Sequence, residues 1–104
     1  MVVRRGEIWW GETPEEKGRP FLVVSRDAAN EVLRRVMVAP VTRTVRRLPS
    51  EVALGPDEGL PVECAASFDN LQPFPQAMLI RHVGSLGGTR AHEMCRALRA
   101  MADC

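Results

Sequence analysis

Long hydrophobic runs are missing from this sequence of 104 residues. No stretch approaches the ~20 apolar residues that a membrane-spanning helix needs, and the opening MVVRRGE lacks the apolar segment of a secretion signal. We therefore expect a cytoplasmic protein that does not use a membrane as a partner. Repeats, low-complexity tracts and linkers are also missing, so a single domain over residues 1–104 is expected.

Cysteine and histidine are too few and too scattered to suggest a metal or redox site. Cys64, Cys95 and Cys104 are an odd set without a C-x-x-C pair, which argues against a disulfide framework and against a zinc site. We expect reduced thiols, with Cys95 in the core, and neither a metal nor another cofactor. His82 and His92 have no partner visible in the sequence, so we expect solvated side chains and not a catalytic pair.

A strong excess of positive charge is missing as well, because the formal net charge is only +1. This balance argues against a protein that holds nucleic acid by bulk attraction. The basic residues are nonetheless almost all arginine, whose planar fork matches phosphate oxygens and stacks on bases. A GC-rich genome would explain their number equally well, but it explains less well why Arg43, Arg46 and Arg47 are clustered. We take these three as candidate residues for binding phosphate groups.

Short apolar runs with turn residues between them predict a mainly β chain that forms a small barrel. The runs FLVV and VMVAPV are apolar on both faces, which is typical of central strands, and GPDEGLP between residues 55 and 61 is predicted as a loop. The expected strands are Glu7 to Trp10, Pro20 to Ser25, Val36 to Val41, Glu51 to Leu54, Cys64 to Asp69 and Met78 to Val83.

Two helical segments are expected. DAANEVLRR can form a turn or short helix with Asp27 as its N-cap. The segment after SLGGT shows the spacing of an amphipathic helix, which should lie against the barrel. Its predicted apolar positions are Ala91, Met94, Cys95, Leu98 and Met101, and its predicted outward positions are Arg90, Glu93, Arg96 and Arg99.

Five features follow one another in an informative order: RRGEIWW, GRPFLVVS, VMVAPVTRT, SFDNLQPFP and the amphipathic helix. In this order they resemble the MazF/PemK family of toxin endoribonucleases over nearly the whole chain. The resemblance implies a small SH3-like barrel of the MazF/CcdB type with a C-terminal helix, and a homodimer. It also implies metal-independent cleavage of single-stranded RNA and a MazE-like antitoxin whose extended tail occupies the RNA groove.

The resemblance places the catalytic arginine at Arg19 and the catalytic threonine at Thr42. RNA cleavage by the ribose 2′-hydroxyl needs a base, an acid and cationic donors where phosphorane charge grows. A guanidinium is a poor proton shuttle, so Arg19 is assigned mainly electrostatic stabilisation. The following Pro20 restricts Arg19 to extended backbone and helps to aim its side chain. Thr42 can orient the nucleophile or a phosphoryl oxygen, and without the resemblance it would be read as the end of a strand.

Base recognition is assigned to three further side chains. The resemblance matches Asp69 and Asn70 to a motif that ends the fifth strand, although Asp69 could equally cap a turn before Pro73. Trp9 and Trp10 are adjacent in a strand and must face opposite sides. We take Trp10 as the outward one, able to stack a base, line a dimer contact or remain a surface or core residue.

The loop GETPEEKG between the first two strands is shorter than is usual in the family. A glutamate often found in that loop has no clear counterpart among Glu12, Glu15 and Glu16, so the general base is left open. Two rival functions also remain. A CcdB-like gyrase poison would need no Arg19–Thr42 pair, and a noncatalytic RNA-binding module would use the arginines for phosphate and Thr42 for structure.

Overall fold

The computed structural model describes residues 2–103. Within them, strands and helices follow in the order β1 (Glu7–Gly11), β2 (Arg19–Val23), α1 (Asp27–Asn30), β3 (Arg35–Thr42), β4 (Glu51–Leu54), β5 (Cys64–Ser67), β6 (Gln72–Pro75), β7 (Leu79–Ser85) and α2 (Ala91–Ala102). Short 3-10 turns connect several of them. No helix among these residues is long and apolar enough to cross a membrane.

The strands form one antiparallel sheet in the order β4-β5-β3-β2-β1-β7. Strand β3 is the centre of this sheet because its outer edge is shared by two partners. Its first half, Arg35 to Val38, pairs with β6, and its last residues, Val41 and Thr42, pair with β5. The sheet therefore curves into a half-barrel that α2 packs against, which confirms the predicted mainly β fold with a C-terminal helix.

The central strands are apolar on both faces because each face of the sheet packs into a separate cluster of buried residues. Ile8 and Leu22 face a cluster that includes Met94 and Ala97 of α2. Their neighbours Trp9 and Phe21 face a second cluster on the other side of the sheet. Alternation along a strand sends successive side chains to opposite faces, so FLVV contributes to both clusters.

One strand was not predicted. Residues 72–75 pair with the start of β3, although Pro73 and Pro75 make this segment read as a loop. Proline is tolerated at a sheet edge because its missing N–H removes no ladder bond there, and β6 is such an edge. The fifth predicted strand is also shorter than expected, since Phe68–Asn70 form a 3-10 turn after Ser67.

Helix α2 is rotated relative to the predicted amphipathic face. Met94 and Ala97 are buried and Leu98 packs against them, whereas Cys95 is exposed, so the prediction of a core Cys95 is wrong. Ala91 and Met101, also predicted as apolar positions of the buried face, are exposed as well, whereas Ala97 takes part in the core. Arg90, predicted to point outward, is half-buried. Cys104 lies outside the described residues.

The first helix is shorter than DAANEVLRR, covering only Asp27–Asn30. Asp27 is its first helical residue and not its N-cap, which is Arg26. The carboxylate of Asp27 instead accepts the backbone N–H of Arg5 at 2.6 Å. This bond ties the N-terminal segment to the start of the helix.

Candidate active site

The two predicted catalytic residues lie on neighbouring strands. Arg19 is the first residue of β2 and Thr42 the last residue of β3. The two strands are antiparallel, and Phe21 pairs with Pro40. Two residues further toward the start of β2 and the end of β3, the same register places Arg19 opposite Thr42. Both side chains therefore lie on one face, where they line the same groove.

Their bonding differs in a way that matters for chemistry. No hydrogen bond or ion pair within residues 2–103 holds the exposed guanidinium of Arg19. The half-buried hydroxyl of Thr42 accepts the backbone N–H of Thr44 at 3.1 Å. Because a hydroxyl can accept and donate at once, this bond orients Thr42 and leaves its proton for a ligand.

The groove itself encloses about 660 Å³. Besides Arg19 and Thr42, the predicted RNA-binding residues Arg46 and Asn70 line it. Asn70 donates from its side-chain amide to the Ser67 hydroxyl at 2.8 Å, which fixes its position at the end of β5. These four predicted residues thus offer two guanidinium groups, a hydroxyl and an amide to a ligand.

A second cavity of about 340 Å³ adjoins the groove, and Arg19 and Thr42 line both. Arg43 and Trp10 line this smaller cavity, as does Cys64. Burial raises the pKa of the Cys64 thiol, which therefore stays protonated at neutral pH, and its Sγ lies 3.7 Å from the carbonyl oxygen of Leu54. The thiol is a neutral part of the cavity wall and not a nucleophile.

The arginine cluster is divided between different surfaces. A buried carboxylate, Glu51, accepts the backbone N–H groups of Arg46 and Arg47 at 3.1 and 2.9 Å. Arg47 has left-handed backbone, with φ of 57°. Its guanidinium lies 3.8 Å from a carboxylate oxygen of Glu63 and lines a third cavity, away from Arg19. Arg43 and Arg46 therefore join the candidate site, whereas Arg47 does not.

Asp69 lies outside the lining of these cavities. Its carboxylate accepts a hydrogen bond from the Ser50 hydroxyl at 2.6 Å, in the 3-10 turn that follows β5. This contact links that turn to the start of β4. The geometry favours the turn-forming role over base reading for Asp69.

Of the three loop glutamates, Glu16 alone lines the groove. The backbone N–H of Glu16 donates a hydrogen bond to Oγ1 of Thr13 at 3.2 Å. Glu12 and Glu15 are exposed and line neither of the two cavities. Glu16 is therefore the loop glutamate that shares a groove with the predicted catalytic residues.

The histidines lie elsewhere. His82 stacks on Trp9 with ring centroids 5.1 Å apart, and its Nε2 lies 2.9 Å from the carbonyl oxygen of Gly84. His92 is exposed on α2, and neither ring lines the groove. Among residues 2–103, no group of three or more His, Cys, Asp or Glu side chains is placed to hold a metal ion.

Several lining residues were not predicted. In the groove they are Lys17, Gly18, Ser67 and Gln72, and in the smaller cavity Leu60, Pro61 and Val62. Gly18 precedes Arg19 in the motif GRP, which was a usable signal. The loop residues had none, because only the folded chain brings residues 60–62 beside β2.

Comparison with known proteins shows the family of this chain. The family described as "PemK-like, MazF-like toxin of type II toxin-antitoxin system" matches residues 4–102. The chain belongs to this family. A curated relative, "Probable endoribonuclease MazF5" of Mycobacterium tuberculosis, is 43% identical over 101 residues that cover 96% of this chain and 93% of the relative.

Solved MazF structures share the fold. The Mycobacterium tuberculosis toxin MazF-mt6 superposes with a TM-score of 0.85 at 32% identity, covering 93% of this chain and 96% of that one. A mycobacterial endoribonuclease solved in complex with its cognate antitoxin has a TM-score of 0.84 at 24% identity, covering 97% and 95%. The predicted family and fold are therefore confirmed, and this MazF-like chain is a toxin of a type II toxin–antitoxin system.

Proposed function

We propose that this MazF-like endoribonuclease cleaves single-stranded RNA at specific sequences without a metal ion. The ribose 2′-hydroxyl attacks the adjacent phosphate, so the products carry a 2′,3′-cyclic phosphate and a 5′-hydroxyl. The observation that carries this proposal is the placement of Arg19 opposite Thr42 at one groove, with no partner for the guanidinium within residues 2–103. A free bidentate donor beside an oriented hydroxyl suits a phosphate whose charge grows during reaction.

Each catalytic residue has a distinct task in this mechanism. Arg19 binds the scissile phosphate and stabilises the negative charge of the phosphorane. Thr42 donates a hydrogen bond from its hydroxyl to a phosphoryl oxygen, since the hydroxyl oxygen already accepts the Thr44 N–H. We propose Glu16 as the base that takes the proton of the 2′-hydroxyl, because it is the carboxylate that lines the groove. The departing 5′ oxygen takes its proton from water in the open groove and leaves as the 5′-hydroxyl.

The remaining groove residues bind and select the RNA. Arg43 and Arg46 contact phosphates on either side of the cleaved bond, and Asn70 reads a base edge. Arg47 and Asp69 are not needed for these contacts. We place the activity in the cytoplasm, where messenger RNA is available.

We further propose a homodimer and a MazE-like antitoxin. At about 660 Å³ the groove is too small to hold several nucleotides, so a second subunit would complete the RNA site. The antitoxin's extended tail would occupy the same groove and block it. Sedimentation at micromolar concentration tests the dimer, and a monomer that still cleaves RNA would contradict it.

The decisive experiment identifies the nucleophile. The purified protein is incubated with a long RNA in chelator, the cut sites are mapped, and a short oligonucleotide containing one site is made. A single 2′-deoxy substitution just 5′ of the cleaved phosphate should abolish cutting there while binding stays nearly unchanged. The unmodified oligonucleotide is the control.

Other outcomes would contradict the proposal. Cleavage of the deoxy-substituted strand at the same bond, or a 5′-phosphate on the downstream fragment, would mean that water is the nucleophile. RNA binding without fragments in chelator would favour the noncatalytic module. Neither binding nor cleavage would leave the gyrase poison as the explanation.

A further inference from the structure

The loop between β3 and β4, residues 43–50, supplies two contacts of the candidate active site. Near its start, the backbone N–H of Thr44 donates to the hydroxyl of Thr42 at 3.1 Å, and this bond orients Thr42. Two residues later, the exposed side chain of Arg46 lines the groove. The conformation of the loop therefore sets both the direction of the Thr42 hydroxyl and the place of one guanidinium.

A buried carboxylate holds the far end of this loop. Glu51 is the first residue of β4 and is 6% exposed. Its Oε1 accepts the backbone N–H of Arg46 at 3.1 Å and that of Arg47 at 2.9 Å. Its own N–H donates to the carbonyl oxygen of Leu48 at 3.0 Å, which closes the turn. One oxygen atom thus fixes two consecutive peptide units of the loop.

These two hydrogen bonds divide the loop between two surfaces. Arg46 lines the groove, whereas its neighbours Val45 and Arg47 line the third cavity, of about 410 Å³. Arg47 has the left-handed backbone, which an arginine adopts only where its surroundings require it. Successive N–H groups in a turn form a concave site for an anion, and here the carboxylate of Glu51 occupies it.

Glu51 acts on the groove from outside it. Its backbone pairs with Ser67 of β5, and its carbonyl oxygen accepts a guanidinium N–H of Arg96 from α2 at 2.9 Å. It lines the third cavity and neither of the two cavities that Arg19 and Thr42 line. Any effect of its carboxylate on RNA in the groove must therefore pass through the loop.

We propose that Glu51 is a positioning residue for RNA cleavage, whose carboxylate holds the loop so that Thr42 is oriented and Arg46 faces the groove. The inference rests on the proposed function, since it assigns a role in that reaction. The two N–H groups need an acceptor and not a negative charge, so an amide oxygen should replace the carboxylate in large part. A misplacement of reacting groups by about 1 Å is enough to lower a rate ~10²-fold.

The first test compares two replacements of Glu51. Glu51→Gln keeps an oxygen for the two N–H groups and should retain kcat/KM on the mapped oligonucleotide within about 5-fold. Glu51→Met has a similar shape without that acceptor and should lower kcat about 10- to 100-fold. Glu51→Met should also flatten the salt dependence of binding to the uncleavable 2′-deoxy oligonucleotide by roughly 0.7, the contribution of one phosphate contact. All measurements are made well below the unfolding temperature of each variant.

Glu7 provides the matched control. Its carboxylate also accepts a backbone N–H, that of Arg4 at 2.7 Å, but it lines none of the three cavities. Glu7→Met should lower the unfolding temperature and leave kcat and the salt slope unchanged. Wild-type kcat and slope in folded Glu51→Met would overturn the proposal. Equal losses from Glu51→Gln and Glu51→Met would also overturn it, because the retained acceptor would then have no effect.

A second pair of variants decides the question if Glu51→Met does not fold. Arg47→Gly and Arg47→Val both remove a guanidinium that faces away from the groove, but only valine disfavours the left-handed backbone. Arg47→Gly should keep the wild-type kcat, whereas Arg47→Val should lower kcat about 10-fold or more and flatten the salt slope. Equal kcat values and equal slopes for these two variants would overturn the proposal.

The two proposals fail in different ways. If wild type yields no fragments in chelator, the proposed function is wrong. If wild type cleaves but folded Glu51→Met cleaves as fast as Glu7→Met, only the positioning role is wrong, and the carboxylate of Glu51 serves stability alone.

Discussion

Arg19 and Arg90 carry the same guanidinium in opposite surroundings. Arg19 is exposed at the groove and has no partner within residues 2–103. Arg90, by contrast, donates to both carboxylate oxygens of Glu93 at 2.7 and 2.8 Å. It also donates to Glu58 at 3.0 Å and to the carbonyl oxygen of Ala53 at 2.7 Å.

The difference separates a ligand-binding arginine from a structural one. Arg90 makes four hydrogen bonds, and the one to Glu93 is the main cause of its raised pKa. Together with Arg96, which donates to the Glu51 carbonyl at 2.9 Å, it covers the outer edge of β4. This shields an exposed strand edge from pairing with another chain. Within residues 2–103, no acceptor occupies a donor of Arg19, which leaves this guanidinium to a phosphate.

The largest expected effect is at Arg19. Arg19→Lys should lower the cleavage rate nearly as much as Arg19→Ala, by ~10²–10³, because lysine cannot reproduce the bidentate fork. Folding should survive, since Arg19 has no structural partner among the described residues. Initial rates on the mapped oligonucleotide measure the loss, with Arg99→Lys as an exposed control. Near-normal cleavage by folded Arg19→Lys would remove Arg19 from its assigned role.

The opposite pattern is expected at Arg90. Arg90→Met removes the guanidinium donor from the partly buried carboxylate of Glu93 and leaves that of Glu58 with the Gly55 N–H. It should therefore lower the free energy of unfolding by about 2 kcal/mol. Urea unfolding measures this change, and Arg99→Met on the exposed face of α2 should stay within about 0.5 kcal/mol of wild type. A loss of stability from Arg19→Ala as large as that from Arg90→Met would erase the distinction between the two arginines.

A smaller, pH-dependent effect comes from Glu93. The hydrogen bond from Arg90 lowers the pKa of this carboxyl below its ordinary value of 4.5. A depressed pKa stabilises the fold above the unfolded value, and the contribution is lost as the pH falls through the folded value. Glu93→Gln should therefore cost about 1 kcal/mol at pH 7, and the difference from wild type should shrink below pH 4.5.

Unfolding at several pH values checks the role of Glu93. Glu31→Gln, a change at an exposed glutamate, is the control and should differ little from wild type at any pH. A cost of Glu93→Gln that stays constant down to pH 3 would mean that the Arg90–Glu93 bond does not set that pKa.

Most of the fold could be predicted because local patterns determine it. Apolar runs predicted strands β1 to β5 and β7, and helical spacing predicted α2. Strand β6 was missed because its two prolines argue against a strand. Prolines are tolerated there because β6 lies at a sheet edge, and the edge position depends on the tertiary fold. The prediction that Cys95 lies on the buried face of α2 was also wrong. Which side of a helix is buried depends on how the helix packs against the sheet, and this is a tertiary property.

The site was predictable only in part. The strand-end positions of Arg19 and Thr42 follow from the chain itself, and the register of β2 and β3 brings them together. The wall at residues 60–62 could not be predicted, because it depends on the Arg90–Glu58 bond between residues 32 positions apart. Neither the partnered state of Arg90 nor the free state of Arg19 is visible in a sequence.

The smallest expected effect again separates two arginines, this time neighbours in the chain. Arg46 lines the groove, whereas Arg47 turns away through its left-handed backbone toward Glu63. Each phosphate contact on single-stranded RNA contributes roughly 0.7 to the slope of log affinity against log salt. Arg46→Gln should therefore flatten the slope by about that amount and weaken binding a few-fold, while Arg47→Gln leaves both unchanged.

Binding of the uncleavable 2′-deoxy oligonucleotide, titrated at several salt concentrations, measures these slopes without interference from cleavage. The two variants are matched, since each replaces one arginine of the same loop with the same residue, and both backbone N–H groups remain bound to Glu51. Equal flattening by both changes would mean that RNA extends beyond the groove to the Arg47 surface. An unchanged slope for Arg46→Gln would mean that the groove holds RNA without a phosphate contact from Arg46.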